Sequence, residues 1–237
     1  MAISEVQWPA TVKPHRFKSP AQLARTLAAD VAGRLRAAIA GQGTATLVVS
    51  GGRSPVAFFE ALAQEALDWS KVVVSLADER WVPVEHADSN AGLVRRHLLQ
   101  GDAARARFIG LYRSAPSLEA AAAEADRALV QLPPIDVLVL GMGDDGHTAS
   151  LFPGSPNLDE GLRADSERRC LAMLAPTVPH QRLSLTRRLL ATAGFTALAV
   201  QGEGKLATLR AALADNDPTQ MPIRAFLHDP LDIYWCP

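Results

Sequence analysis

A histidine placed just after two acids in a glycine-rich turn has what a general base needs, and residues 135–153, IDVLVLGMGDDGHTASLFP, contain that arrangement. His147 follows Asp145 by two positions, close enough for a carboxylate to orient the imidazole and stabilise its protonated form. Asp144 adds a second acid, and Gly141, Gly143 and Gly146 break the chain sharply around them. The preceding run, 135–140, has Asp136 as its one charge and reads as a strand buried on both faces. The turn therefore lies at a strand's carboxyl end, where open α/β sheets bind their ligands.

Three more loops follow apolar runs. In Ser50-Gly51-Gly52-Arg53-Ser54-Pro55 the glycines allow a close approach of the backbone. Ser54 is a natural N-cap and Pro55 suits a first helical position, so free amides and the positive end of a helix dipole would face a ligand. That suits a phosphate, although a plain strand-to-helix turn reads the same way. The charges of Asp78-Glu79-Arg80 either face water or, against the apolar Trp81-Val82-Pro83, leave Arg80 to grip a planar anion. In Gly202-Glu203-Gly204-Lys205 a lysine enters the first turn of a helix, against the dipole. A bound anion would correct that; otherwise the side chain bends into water.

Several chemistries are excluded. Gly141-x-Gly143-x-x-Gly146 matches the dinucleotide fingerprint, but Pro153 follows seven residues after the last glycine and leaves little room for the helix, and two aspartates would face the pyrophosphate. No GK[ST] completes a triphosphate loop, and there is no GxSxG, no HExxH and no Cys/His cluster. The other histidines, His15, His86, His97, His180 and His228, are scattered. The expected chemistry uses no covalent nucleophile, no protein-bound metal and no cofactor.

Composition limits the partners. The chain has 237 residues, 48% of them hydrophobic, enough to bury a full core. With 24 basic and 25 acidic side chains the net charge is −1, so no general field attracts nucleic acid or anionic lipid, and the expected partner is a small molecule whose charge is met locally. Cys170 and Cys236 lie far apart without a CxxC pair, as expected of reduced thiols in a cytoplasmic protein. Residues 1–15 are interrupted by Glu5, Pro9 and Lys13 and lack a signal peptide's apolar core. No stretch approaches the ~18 apolar residues of a membrane span. Nothing specifies an oligomeric state.

The elements that must position these loops alternate along the chain. Residues 1–18 read as a leading strand or extended arm. Leu23, Leu27, Val31, Leu35 and Ile39 then recur every four residues, a helix with Ser19 as cap, Pro20 in its first turn and Gly41 available to end it. A strand over 44–50 precedes a helical stripe of Val56, Phe59, Leu62 and Leu67. Another strand at 71–77 delivers the charged loop; a helix over 89–99, a weak strand at 108–109 and a helix over 117–132 follow. Beyond the central strand, 168–174 and 181–185 read as short strands, 186–193 as a helix, 195–201 as a strand and 203–213 as a helix, with LDIYWCP as an edge strand. This predicts one doubly wound α/β domain over 1–237 with a mostly parallel central sheet flanked by helices.

Taken together, SGGRSP at 50–55, DERWVP with DSN at 78–90, GMGDDGHTASLFPGS at 141–155 and GEGK at 202–205 resemble the 6-phosphogluconolactonase family, in order and over nearly the whole chain. The resemblance implies hydrolysis of 6-phospho-D-glucono-1,5-lactone in the oxidative pentose phosphate pathway, on a fold shared with glucosamine-6-phosphate deaminase. The deaminases resemble GxGxDGHIAFNEP at this turn, with a glutamate where this chain has Phe152, and their acidic pair is followed by an aromatic where Arg80 stands here. Carried onto this chain, the resemblance makes His147 the base, Asp145 its orienting acid and Arg80 a candidate for either the oxyanion or the phosphate. Gly51, Gly52, Arg53, Ser54, Asp78 and Lys205 are candidates for binding substrate and its phosphate, and Arg182, in PHQRLSLT, is a further one. The competing readings are a sugar-phosphate isomerase or deaminase, and a non-catalytic sugar-phosphate sensor.

Overall fold

In the computed structural model, which describes residues 3–237, the first long helix begins where its cap stands. Ser19 is extended and accepts the Gln22 N–H, Pro20 takes the first position, and α1 (Pro20–Gln42) buries Leu23, Leu27, Val31 and Leu35. It ends on Gly43 at φ 85°, two residues beyond Gly41, because the left-handed residue is the one that closes it. Ahead of it β1 (Val12–Arg16) accounts for the end of the leading arm, whose first two residues lie outside the described residues.

Nine strands follow: β2 (Ala45–Val49), β3 (Val72–Leu76), β4 (Asp78–Arg80), β5 (Arg107–Ile109), β6 (Val137–Leu140), β7 (Cys170–Leu174), β8 (Gln181–Leu185), β9 (Phe195–Gln201) and β10 (Leu231–Cys236). Among them stand α2 (Val56–Ala63), α3 (Asn90–His97), α4 (Leu118–Ala128), α5 (Leu158–Leu162), α6 (Arg187–Leu190) and α7 (Glu203–Leu213). Seven strands make one sheet in the order β1-β10-β9-β6-β2-β3-β5, and every neighbouring pair is parallel. β2, β3 and β6 are buried along their whole length, as their Val- and Leu-rich runs require. α1 packs on β2, β6, β10 and α2, and α2 on α3.

The order of this sheet locates the crevice. From β2 the chain steps outward to β3 and β5, then crosses back to place β6 on the other side of β2. The winding reverses between β2 and β6, and the gap beyond their carboxyl ends is where such sheets bind ligands. The Ser50 N–H donates to Val139 O at 2.9 Å and holds the two strand ends together.

Several elements differ from the sequence reading. Asp78-Glu79-Arg80 is a strand rather than a loop: β4 pairs antiparallel with β8, and β8 with β7, in a second sheet of three strands. The tail is an interior strand, since β10 lies between β9 and β1. β1 is the edge instead, which is where Pro14, with no N–H to give, can be accommodated. The helix expected over 186–193 shrinks to α6, capped by Thr186 through the Leu189 N–H, and Leu67 falls outside α2.

Candidate active site

Beyond β2 and β6 the loops enclose a cavity of about 250 Å³. Its wall includes Gly51, Gly52, Ser54, Asp78, Arg80, His147 and Lys205, so most of the sequence candidates converge on one space. Three do not line the wall: Arg53 is exposed, Asp145 meets the cavity only through His147, and Arg182 is buried.

The His147 turn is organised from within. Gly143 N–H donates to His147 O at 2.9 Å, and His147 N–H donates to Asp145 Oδ1 at 3.0 Å. The same Oδ1 lies 2.6 Å from His147 Nδ1, so a proton on Nδ1 leaves Nε2 as the basic nitrogen. Burial alone would raise the Asp145 carboxyl, but the hydrogen bonds and charge of His147 hold it below its usual value. Gly143 has to lack a side chain, because a Cβ there would stand 2.1 Å from His147 Nδ1. The buried Phe152 ring lies 4.3 Å from the imidazole, centroid to centroid, and closes its other side. Past the histidine, Thr148 donates its hydroxyl to Gly141 O at 2.8 Å, and Ala149 takes φ 50°. No helix follows the glycines directly; Thr148 and Leu151 form an isolated bridge, and α5 begins only at Leu158.

The strand β4 builds the opposite wall by alternation. Asp78 and Arg80 line the cavity, while Glu79, fully buried, faces α3. Glu79 accepts the N–H groups of Arg80 (2.8 Å), Asn90 (2.6 Å) and Ala91 (2.7 Å) and the Ser89 hydroxyl (3.1 Å). Burial pushes its carboxyl up, against the pull of those amides. Arg80 Nη1 donates to Asp88 O at 2.9 Å and to Asn90 Oδ1 at 2.6 Å, both uncharged acceptors. Asn90 in turn donates to Asp78 O at 2.9 Å and lies so near Gly51 that a Cβ there would sit 1.9 Å from its Oδ1. Asp78 Oδ2 accepts the Ser150 hydroxyl at 2.6 Å. A carboxylate here would repel phosphate, so the Asp78 position suits a sugar hydroxyl better.

Across the cavity mouth, Lys205 Nζ pairs with Asp144 Oδ1 at 2.5 Å, and Asp144 itself is 88% exposed. The lysine thus neither turns to water nor lacks an anion. Gly52, at φ 101°, leads into α2, which starts at Val56 with Pro55 as its cap residue and no side-chain cap bond. Ser54 therefore does not cap the helix; it contributes to the wall. Arg182 stands opposite Arg80 in the β4–β8 pairing, with Nη1 lacking a partner. Burial first, and the charge of Arg80 second, lower its guanidinium's hold on the proton.

Two residues escaped the sequence reading. Asn90 was visible only as the end of the DSN run, and its link to Arg80 depends on β4 and α3 packing together. Ser150 sat inside the central motif, but its partner Asp78 is 72 positions away. Among the described residues there is no group of three or more His, Cys, Asp or Glu able to hold a metal, and no helix is long and apolar enough to cross a membrane.

Known proteins resemble this chain in sequence and in fold. The model of the glucosamine-6-phosphate isomerases/6-phosphogluconolactonase family matches residues 18–235. A 6-phosphogluconolactonase from Pseudomonas putida is 73% identical over 237 residues, covering 100% of this chain and 98% of that one. One from Pseudomonas aeruginosa is 66% identical, with 100% of both chains covered. The crystal structure of a 6-phosphogluconolactonase from Shewanella baltica superposes with a TM-score of 0.92 at 40% identity, covering 95% of this chain and 98% of that one.

Proposed function

The chain belongs to the glucosamine-6-phosphate isomerase/6-phosphogluconolactonase family and is an enzyme of its lactone-hydrolysing branch; we propose that His147 activates the water that opens the ring. The substrate is 6-phospho-D-glucono-1,5-lactone and the product 6-phospho-D-gluconate, the hydrolytic step of the oxidative pentose phosphate pathway. The observation that carries the mechanism is the 2.6 Å approach of Asp145 Oδ1 to His147 Nδ1 on the wall of a cavity that also holds Arg80 and Lys205. Nε2 takes a proton from water as its oxygen adds to the lactone carbonyl; Asp145 supports the imidazolium. As the tetrahedral centre collapses, the bond to the ring oxygen breaks and the imidazolium returns the proton to that oxygen. Such a base is worth on the order of 10²–10⁴ in rate.

The phosphate rests on the amides of the Gly51–Ser54 loop. Arg80 is assigned to that end, because its acceptor Asn90 lies against Gly51. Amides of the glycine turn are left for the oxyanion. Lys205 is a second cation for the phosphate, exchanging Asp144 for it. Phe152 supports hydrolysis over deamination: it fills the place of a proton-carrying glutamate with a ring that cannot move protons. A cytoplasmic setting, where the buried free thiols Cys170 and Cys236 stay reduced, belongs to the same proposal; burial pushes Cys170 up to about 12. The site draws on loops from residue 50 to residue 205, which supports treating 1–237 as one functional unit.

The test is hydrolysis of freshly prepared lactone, with spontaneous opening subtracted, by the wild type and by His147→Ala. A loss of about 10²-fold or more in kcat is expected for the variant. Equal rates would sink the base assignment, and no rate above background for the wild type would sink the reading altogether.

A further inference from the structure

His147 and Asp145 stand two residues apart in one turn, so their mutual bond does not set where the imidazole stands relative to the rest of the site. That position depends on what ties the turn to neighbouring elements. On one side Ile223 N–H donates to Gly146 O at 2.9 Å. On the other, the turn is tied to β4 and β8 through Ser150. The Ser150 hydroxyl donates to Asp78 Oδ2 at 2.6 Å, and the Ser150 N–H donates to Ser184 Oγ at 3.2 Å. All three residues are buried, so water does not compete for these bonds. The sheet they reach is the one from which Asp78 and Arg80 enter the cavity.

A second observation concerns the residue between histidine and serine. Ala149 lines the cavity at φ 50°, the one non-glycine residue at positive φ among those described. An L-residue with a Cβ does not choose this conformation by itself, and it persists where the surroundings over-determine it. The bonds made by Ser150, and the Thr148–Leu151 bridge around it, supply that constraint.

We propose that Ser150 is a positioning residue for the reaction: its bond to Asp78 holds Ala149 in its left-handed conformation and so sets His147 in register with Arg80 across the cavity. The role is distinct from stability, because the bond fixes the distance between the group that activates water and the group that anchors the substrate. A misplacement of about 1 Å between such groups costs on the order of 10²-fold in rate.

The experiment compares Ser150→Ala, Ser150→Cys and the double variant Ser150→Ala with Ala149→Gly, using steady-state hydrolysis of the lactone and thermal unfolding of each. Ser150→Ala is expected to lower kcat by about 10-fold or more while KM stays within about threefold. Glycine at 149 adopts φ 50° without help, so the double variant is expected to recover kcat severalfold over Ser150→Ala. A purely structural role would not produce that recovery. Ser150→Cys keeps the side chain's size with a weaker donor, and carries the test if the alanine variant does not fold; it too is expected to lose kcat severalfold. Wild-type kcat in a folded Ser150 variant, a loss confined to KM, or no recovery in the double variant would each overturn the proposal. The inference rests on the lactonase reading with His147 as base, and His147→Ala assayed alongside separates the two. If His147→Ala is inactive and Ser150→Ala is normal, only the positioning role fails; if His147→Ala is normal, the base assignment fails first.

Discussion

Replacing Gly143 by alanine should disable the enzyme while leaving its fold nearly intact. The new Cβ would stand 2.1 Å from His147 Nδ1, 2.2 Å from Cε1 and 2.6 Å from Asp145 Oδ1, where ordinary contact begins at 3.4 Å. The imidazole must therefore retreat by about 1 Å or more, and its bond to Asp145 is lost or remade elsewhere. The backbone does not object, since Gly143 is not among the residues at positive φ. Nor does the clash fall on packed core: the His147 and Asp145 side chains are 28% and 41% exposed and can turn outward. The cost thus lands on catalysis. A shift of that size at the reacting group is worth about 10²-fold in kcat, or ~2.7 kcal/mol of transition-state stabilisation. KM should stay within about threefold, because Gly51, Arg80 and Lys205 are untouched. Initial rates of lactone opening against substrate concentration, with the uncatalysed rate subtracted, measure both constants, and a thermal melt checks folding. A folded Gly143→Ala enzyme with wild-type kcat would refute the claim that this imidazole, held in this pose, does the work.

The opposite wall yields a contrasting result. Gly51→Ala would drive a Cβ to within 1.9 Å of Asn90 Oδ1 and 2.1 Å of its Cγ; Asn90 is buried, so Arg80 loses one of its two acceptors, and KM should rise about 10-fold or more with a stability loss of ~1–3 kcal/mol. An unchanged KM in the folded variant would remove Arg80 and Asn90 from the anion end. Asp145→Asn should lower kcat by about 10²–10⁴-fold, and it also has a pH signature. Because the native fold holds this carboxyl below its usual value, its stabilising contribution is complete above the ordinary carboxylate range and is lost as pH falls through the lowered value. Urea midpoints of wild type and variant should therefore differ at neutral pH and converge in strong acid; a difference that is constant with pH contradicts the assignment.

What could be read from the sequence was whatever depends on neighbours along the chain. The four-residue spacing from Leu23, the cap at Ser19 and the apolar runs of β2, β3, β6 and β9 are local signals, and they gave the parallel sheet and its glycine-rich turns. β4 could not be read this way, because Asp-Glu-Arg has no apolar alternation and becomes a strand only by pairing with residues 182–184. The place of β10 was hidden for a similar reason: a terminal apolar run looks the same at an edge as between two strands. In the site, His147 and Asp145 were legible because they share a turn, and Arg80 and Lys205 because each ends a motif. Asn90 and Ser150 were not, since each has its meaning only through a partner brought close by the fold. Arg53 shows the converse: its place in the glycine loop is legible in the sequence, yet its side chain is exposed and does not line the cavity.

The acids beside Arg80 pose an apparent contradiction, since Asp78 and Glu79 flank the very cation assigned to a phosphate. The geometry resolves it. Alternation along β4 sends Glu79 away from the cavity, where its charge meets the free amides at the start of α3, the end of a helix that favours an anion. Asp78 does face the cavity, but its Oδ2 accepts the Ser150 hydroxyl. Arg80 itself donates to a carbonyl and an amide oxygen, which orient it without cancelling its charge. Directly opposite it in the β4–β8 pairing stands Arg182, whose guanidinium is driven down first by burial and then by Arg80's charge, as two like charges side by side require. In the proposed binding mode, the substrate's phosphate dianion beside Arg80 would relieve that repulsion. The nearby acids are thus oriented by neutral donors, the Ser150 hydroxyl and the first amides of α3, and neither Asp78 nor Glu79 is hydrogen-bonded to the Arg80 guanidinium, which keeps its donors for an uncharged carbonyl and amide.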